Sequence, residues 1–212
     1  MSENPRKADM KIGIVDYDAG NLKSVETALA YLNADYFVSS DSSLLMESDK
    51  IIFPGVGEAK TAMGILKERG LDQFLKEFFK SGKPILGICL GCQIILDYSH
   101  ENSTECLGIV PGTTMEFSRT MGLKIPHMGW NQVSFRDVHY IFEGIPDNRS
   151  FYFVHSFYPD LNNEKLVIGT TDYGIDFSSA FSFDNLVALQ FHPEKSGPFG
   201  LKILDNFIRR AD

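Results

Sequence analysis

Cys89 stands between two glycines in Gly87-Ile88-Cys89-Leu90-Gly91, directly after a short apolar run. Read as strand, sharp turn and helix, this is the thiol counterpart of a G-x-S-x-G nucleophile elbow, in which small neighbours let a strained turn hold the nucleophile outward. A thiol nucleophile needs a base and a group that orients the base. Residues 186–194, LVALQFHPE, end a second apolar run with His192 and Glu194. Together the three groups form a candidate Cys-His-Glu triad. A free thiol has a pKa of about 8.5, so pairing with His192 and the start of the following helix is expected to raise the thiolate fraction.

The elements around these residues alternate. KIGIVD from Lys11 predicts a buried parallel strand, and Leu22, Val25, Ala28, Leu29 and Leu32 follow at helical spacing. YFVSS and KIIFPGVG predict two more strands, with a helical stretch over 58–79 broken near Gly70. PILGIC then supplies the strand before Cys89, and a helix carrying Gln93 to Leu96 the turn after it. This order predicts an α/β fold, a mostly parallel doubly wound sheet flanked by helices, whose chemistry gathers at the strands' carboxyl ends. After about residue 104, aromatic alternation in FYFVHSFY, LVIGTTDY and SAFSF predicts an additional antiparallel β portion, and residues 199–210 an amphipathic closing helix. Residues 1–9 read as a disordered tail and 10–212 as a single domain.

Composition narrows the function classes. The chain has 212 residues, 43% of them hydrophobic, enough to bury a large core. A net charge of −8 with no basic run argues against a nucleic-acid partner. No apolar run approaches the roughly 20 residues of a membrane span, and the first nine residues lack a signal-peptide core. Three cysteines do not make a disulfide framework, and a cytoplasmic, reducing location is expected.

With the elbow, the PGVG turn at 54–57 and the HPE ending at Glu194 lined up, the chain resembles the class I, triad-type glutamine amidotransferases. DYDAGNLKSV at 16–25, PHMGWN at 126–131, FYFVHSF at 151–157 and HPEKS at 192–196 resemble one branch, the glutaminase subunits of imidazole glycerol phosphate synthase in histidine biosynthesis. By that resemblance Cys89 attacks the side-chain amide of glutamine, His192 carries the proton to the departing ammonia, and Glu194 supports the imidazolium. The oxyanion donors fall at Val56 and Leu90, and the substrate contacts at Gly57, Gln93, Glu101, Ser156 and Phe157. The resemblance also implies a (βα)8-barrel cyclase as heterodimer partner, with Asn21, Trp130 and Lys195 bordering the interface, and no cofactor or metal. Cys92 stands where the family usually has methionine, and Phe157 where tyrosine is common.

Other readings stay open at this level. Cys89-Leu90-Gly91-Cys92 is a C-x-x-C as used in disulfide oxidoreductases, and with His100 and Cys106 it offers four potential zinc ligands. A paralogous glutaminase feeding surface-sugar amidation and a non-catalytic binding module are two further alternatives. His100, His127 and His139 read as surface or loop histidines, and Trp130 by default as a partly buried core residue.

Overall fold

The computed structural model describes residues 10–18 and 22–210. The tail expected over 1–9 and the proposed interface residue Asn21 lie outside the described residues.

Strand β1 (Lys11–Val15) leads to helix α1 (Leu22–Tyr31) and strand β2 (Asp35–Ser39), and a short helix α2 (Ser42–Met46) precedes strand β3 (Lys50–Gly55). Asp41 caps α2 by accepting from the backbone N–H groups of Ser43 and Leu44. Helices α3 (Ala59–Glu68) and α4 (Leu71–Lys80) are separated at Gly70, whose φ of 68° breaks the helix. Leu71, Phe74, Leu75 and Phe78 lie at the i, i+3, i+4, i+7 positions that give α4 one buried face. Strand β4 (Ile85–Cys89) ends on the nucleophile candidate and passes into helix α5 (Leu90–Ile94).

The second half is mainly strand. It comprises β5 (Tyr98–Ser99), β6 (Thr104–Glu105), β7 (Gly112–Glu116), β8 (His127–Phe135), β9 (Arg149–His155), β10 (Phe157–Leu161), β11 (Val167–Asp172), β12 (Asp176–Phe183) and β13 (Leu186–Leu189), closed by helix α6 (Gly197–Arg209). The described strands form two sheets. The larger runs β2-β1-β3-β4-β13-β12-β11-β8-β9, parallel as far as β13 and antiparallel beyond it. The antiparallel portion is thus the continuation of the parallel sheet. A smaller sheet, β10-β7-β5-β6, stands beside it.

The parallel strands are apolar on both faces because helices cover both. Ile52, Val187 and Leu189 face the cluster that contains Val25 and Leu29 of α1 and Ile203, Leu204 and Phe207 of α6. Ile51, Phe53, Leu186 and Ala188 face Met63, Leu66, Phe74 and Phe78 of α3 and α4. Lys50, almost completely buried, donates to the carbonyls of Phe207 and Arg210 at 2.8 and 2.6 Å. Its charge sits where the α6 macrodipole is negative. No described helix is long and apolar enough to cross a membrane.

Candidate active site

Cys89 occupies the turn between β4 and α5 with φ 53° and ψ −108°, a region that non-glycine residues avoid at a cost of about 1–3 kcal/mol. Close packing enforces the turn. Gly55 lies opposite Cys89 across β3 and β4, and a Cβ at Gly91 would come 2.0 Å from the Phe53 carbonyl oxygen. Gly91→Ala therefore cannot be accommodated without moving backbone. Its expected effect is a loss of about 1–3 kcal/mol, read as a lower denaturant midpoint at unchanged slope.

α5 has five residues, shorter than the helix expected through Leu96, because the chain turns into β5. It therefore offers the sulfur the free N–H groups of a first turn rather than a long macrodipole. The Cys89 thiol is directed to the Val154 carbonyl at 3.9 Å, and Gln190 Nε2 donates toward the sulfur at 3.8 Å. The residue is 6% exposed.

His192 follows β13, the strand hydrogen-bonded beside β4, which is how two distant segments meet. Its N–H donates to the Tyr152 carbonyl at 2.9 Å, and Ser196 Oγ donates to the His192 carbonyl at 2.6 Å. His192 Nδ1 lies 2.7 Å from Glu194 Oε1, both side chains 3% exposed. A carboxylate only accepts, so Nδ1 carries a proton, and whenever the ring is neutral Nε2 presents its lone pair. Nε2 is buried and meets no acceptor in hydrogen-bonding geometry. Burial alone lowers the His192 pKa. The negative charge and hydrogen-bonding capacity of Cys89, then the hydrogen bond and charge of Glu194, outweigh burial and push it up to about 10. The charge of Cys89 is thus the largest influence favouring the imidazolium, the direction an imidazolium–thiolate pair requires.

A cavity of about 280 Å³ opens on Cys89. Val56, Leu90 and Gly57 form one wall, with Gly57 in the left-handed region at φ 99°. Gln93, Glu101, Ser156 and Phe157 line the remainder, so the sequence-predicted oxyanion and substrate residues share one cavity with Cys89. Gln93 is 5% exposed and spends both amide hydrogens inside the protein, on the Phe157 carbonyl and on Gln190 Oε1, each at 2.8 Å. Its Oε1 is the acceptor left for a ligand. Glu101 Oε2 accepts from the Ala59 N–H at 2.7 Å, and its pKa is raised, chiefly by burial. The cavity lining therefore includes two acceptors suited to an ammonium group and a thiol suited to a carbonyl.

Trp130 and Lys195 lie outside this cavity. Trp130 is 59% exposed and not a core residue, with its ring edge-on to Tyr152, whose carbonyl holds His192. Lys195 is half-buried next to Glu194. Pro126, Val154 and His155 also line the cavity, although sequence reading did not single them out. His155 had a signal, since Phe151, Phe153 and His155 alternate as the inward residues of β9. His127, read as a surface or loop histidine, is instead 3% exposed, because antiparallel pairing of β8 with β9 sets it against His155.

The rival cysteine readings lose their geometry. All three cysteines are free, and Cys92 is fully buried, its pKa raised by desolvation and then by Cys89. Among the described residues, no three His, Cys, Asp or Glu side chains converge as metal ligands.

A family model described as glutamine amidotransferase class-I matches residues 13–211. The imidazole glycerol phosphate synthase subunit HisH of Dehalococcoides mccartyi is 45% identical over 201 residues, covering 94% of this chain and 97% of its own. The protein of the same name from Maridesulfovibrio salexigens is 46% identical over 202 residues, 92% and 95% of the two chains. Among solved structures, a putative GMP synthase protein from Thermoplasma acidophilum superposes with a TM-score of 0.73 at 22% identity, over 96% of this chain and 94% of that one. PurLQS from Thermotoga maritima gives 0.71 at 16% identity, over 94% and 98%. At such identities these two structures bear on the fold alone.

Proposed function

Because this chain belongs to the class-I glutamine amidotransferase family, within the branch of HisH subunits, we propose that it hydrolyses glutamine to glutamate and ammonia for imidazole glycerol phosphate synthesis in histidine biosynthesis. The observation that carries this reading is a strained, buried Cys89 at the end of β4, beside the strand that leads to the His192–Glu194 pair, opening on a cavity that Gln93 and Glu101 also line.

Cys89, its thiol proton already resting on His192 Nε2, attacks the γ-carbonyl carbon of glutamine as a thiolate. The oxyanion is met by the N–H groups of Leu90 and Val56. When the tetrahedral intermediate collapses, the C–N bond breaks and His192 delivers the proton to the departing nitrogen. Ammonia leaves, and a γ-glutamyl thioester remains. Water then attacks the thioester, its proton passing to His192, and release of glutamate restores the thiolate. Glu194 holds the Nδ1–H tautomer throughout and stabilises the imidazolium. Gln93 Oε1 and Glu101 receive the substrate's α-ammonium group, and Ser156, Phe157 and Gly57 complete its enclosure.

Ammonia in open water becomes ammonium and ceases to be a nucleophile, so it must pass to its acceptor through a closed interface. The partner in this reading is a (βα)8-barrel cyclase, bound as a heterodimer in the cytoplasm, with Trp130, Lys195 and Asn21 bordering the contact. An exposed tryptophan beside the strand that holds His192 suits such a contact. Glutamine hydrolysis by the chain alone is expected to be slow, and to rise by about 100-fold or more when a co-expressed barrel cyclase and its nucleotide substrate are supplied. Indifference to the cyclase would remove it as partner.

A further inference from the structure

Two imidazoles buried beside the cavity take no part in these steps. His127 and His155 face each other across β8 and β9, and their rings meet with Nδ1 of His127 2.9 Å from Nε2 of His155. The protons of this pair can be assigned. The Phe157 carbonyl only accepts, so His155 Nδ1, 2.8 Å away, carries a hydrogen. A neutral His155 then has its lone pair at Nε2, and the hydrogen between the rings belongs to His127 Nδ1. The remaining lone pair, at His127 Nε2, receives Asn131 Nδ2 at 3.2 Å. Asn131 is itself oriented, since Nδ2 also donates to the Asp172 carbonyl at 2.9 Å and Oδ1 accepts the Gln132 N–H at 2.8 Å.

The series continues past the histidines. The Phe157 carbonyl takes a second hydrogen from Gln93 Nε2, whose other hydrogen goes to Gln190 Oε1, and Gln190 Nε2 points to the Cys89 sulfur. Every polar atom between Asn131 and Cys89 therefore has a single consistent role. Desolvation lowers the pKa of His127 to about 4. It lowers that of His155 to about 3, against the Phe157 hydrogen bond and with help from His127 and His192. Both rings thus stay neutral and keep their tautomers near pH 7. They sit in an aromatic nest, with His127 stacked on Phe153 and Tyr173 and His155 against Phe117. Apolar rings would fill such a nest without the cost of burying polar groups.

We propose that His127 and His155 are positioning residues for glutamine: they fix the Phe157 carbonyl, which commits the Gln93 amide and turns its Oε1 to the substrate's ammonium group. The proposal rests on the glutaminase reading above. It explains why the two segments PHMGWN and FYFVHSF each carry a buried histidine.

The test is steady-state glutamine hydrolysis by the complex with its cyclase, comparing wild type with His155→Leu, His155→Asn and His127→Phe. His155→Leu is expected to raise KM for glutamine about tenfold or more, the effect of one lost hydrogen bond to a charged group, with kcat within about threefold. His155→Asn, whose Nδ2 can take the place of Nδ1 against the Phe157 carbonyl, should recover most of that KM. His127→Phe keeps the ring stacking and severs only the donation to His155. It should raise KM to an intermediate value, and it carries the test if His155→Leu does not fold. Unchanged KM in the folded variants, or equal KM for His155→Leu and His155→Asn, overturns the relay. A wild-type complex that hydrolyses no glutamine overturns instead the glutaminase reading on which it rests.

Discussion

Cys89→Ala in the partnered protein is expected to lower glutamine hydrolysis by about 10⁴-fold or more, to the level of the solution reaction. No other thiol lines the cavity. Cys92 is fully buried with its pKa raised well above the thiol range, and Cys106, outside the cavity, is pushed up to about 12, largely by burial. Alanine keeps the strained turn, whose geometry is imposed by Gly55, Gly91 and Phe53, so the variant should fold with a denaturant midpoint close to that of wild type. The lesion should be confined to ammonia supply: ammonium salts added at alkaline pH should restore turnover of the cyclase partner. Glutamine hydrolysis that survives in Cys89→Ala would place the nucleophile elsewhere.

Glu194→Gln is expected to cost about 10²–10⁴-fold in kcat with little change in KM, because the defect lies in the base and not in the substrate site. The carboxylate forces the proton of neutral His192 onto Nδ1 at 2.7 Å. An amide can instead turn its N–H toward Nδ1 and place the ring proton on Nε2, where it cannot accept from the thiol. The same exchange removes a charge that raises the imidazole pKa, so the His192 titration, about 10 in the wild type, should move down, and NMR of the imidazole would follow it. Stability shifts with the same titration. A folded-state pKa above the unfolded value of about 6.5 means that the imidazolium pairing contributes fully below pH 6.5 and is lost as pH rises through about 10. In Glu194→Gln that loss should begin at lower pH, and an unmoved titration would contradict the arrangement.

Much of this site is legible in the sequence because its residues stand at the ends of apolar runs. Parallel strands covered on both faces leave continuous runs such as ILGIC and LVAL, and the residues at or just beyond the end of such a run emerge at the sheet's carboxyl edge. Cys89 and His192 are found this way, and their side-by-side strands bring them together. The helix break at Gly70 is legible for a similarly local reason. What sequence spacing conceals depends on register and on short elements. His127 and His155 are separated by 28 positions, and only the antiparallel pairing of β8 with β9 makes them partners. β5 and β6 have two residues each, too few to show a period, so the smaller sheet has no signature of its own. α2 is one turn of five residues, held by its Asp41 cap more than by any apolar stripe.

The central claim is that Cys89 supplies the atom that bonds to glutamine. Its most direct measurement is labelling of the intact complex with a chloromethyl-ketone analogue of glutamine, followed by peptide mapping. A single covalent adduct on Cys89, suppressed by glutamine and slowed in His192→Ala, is the predicted result. An adduct on Cys92 or Cys106, or labelling of Cys89 that glutamine does not suppress, would contradict it.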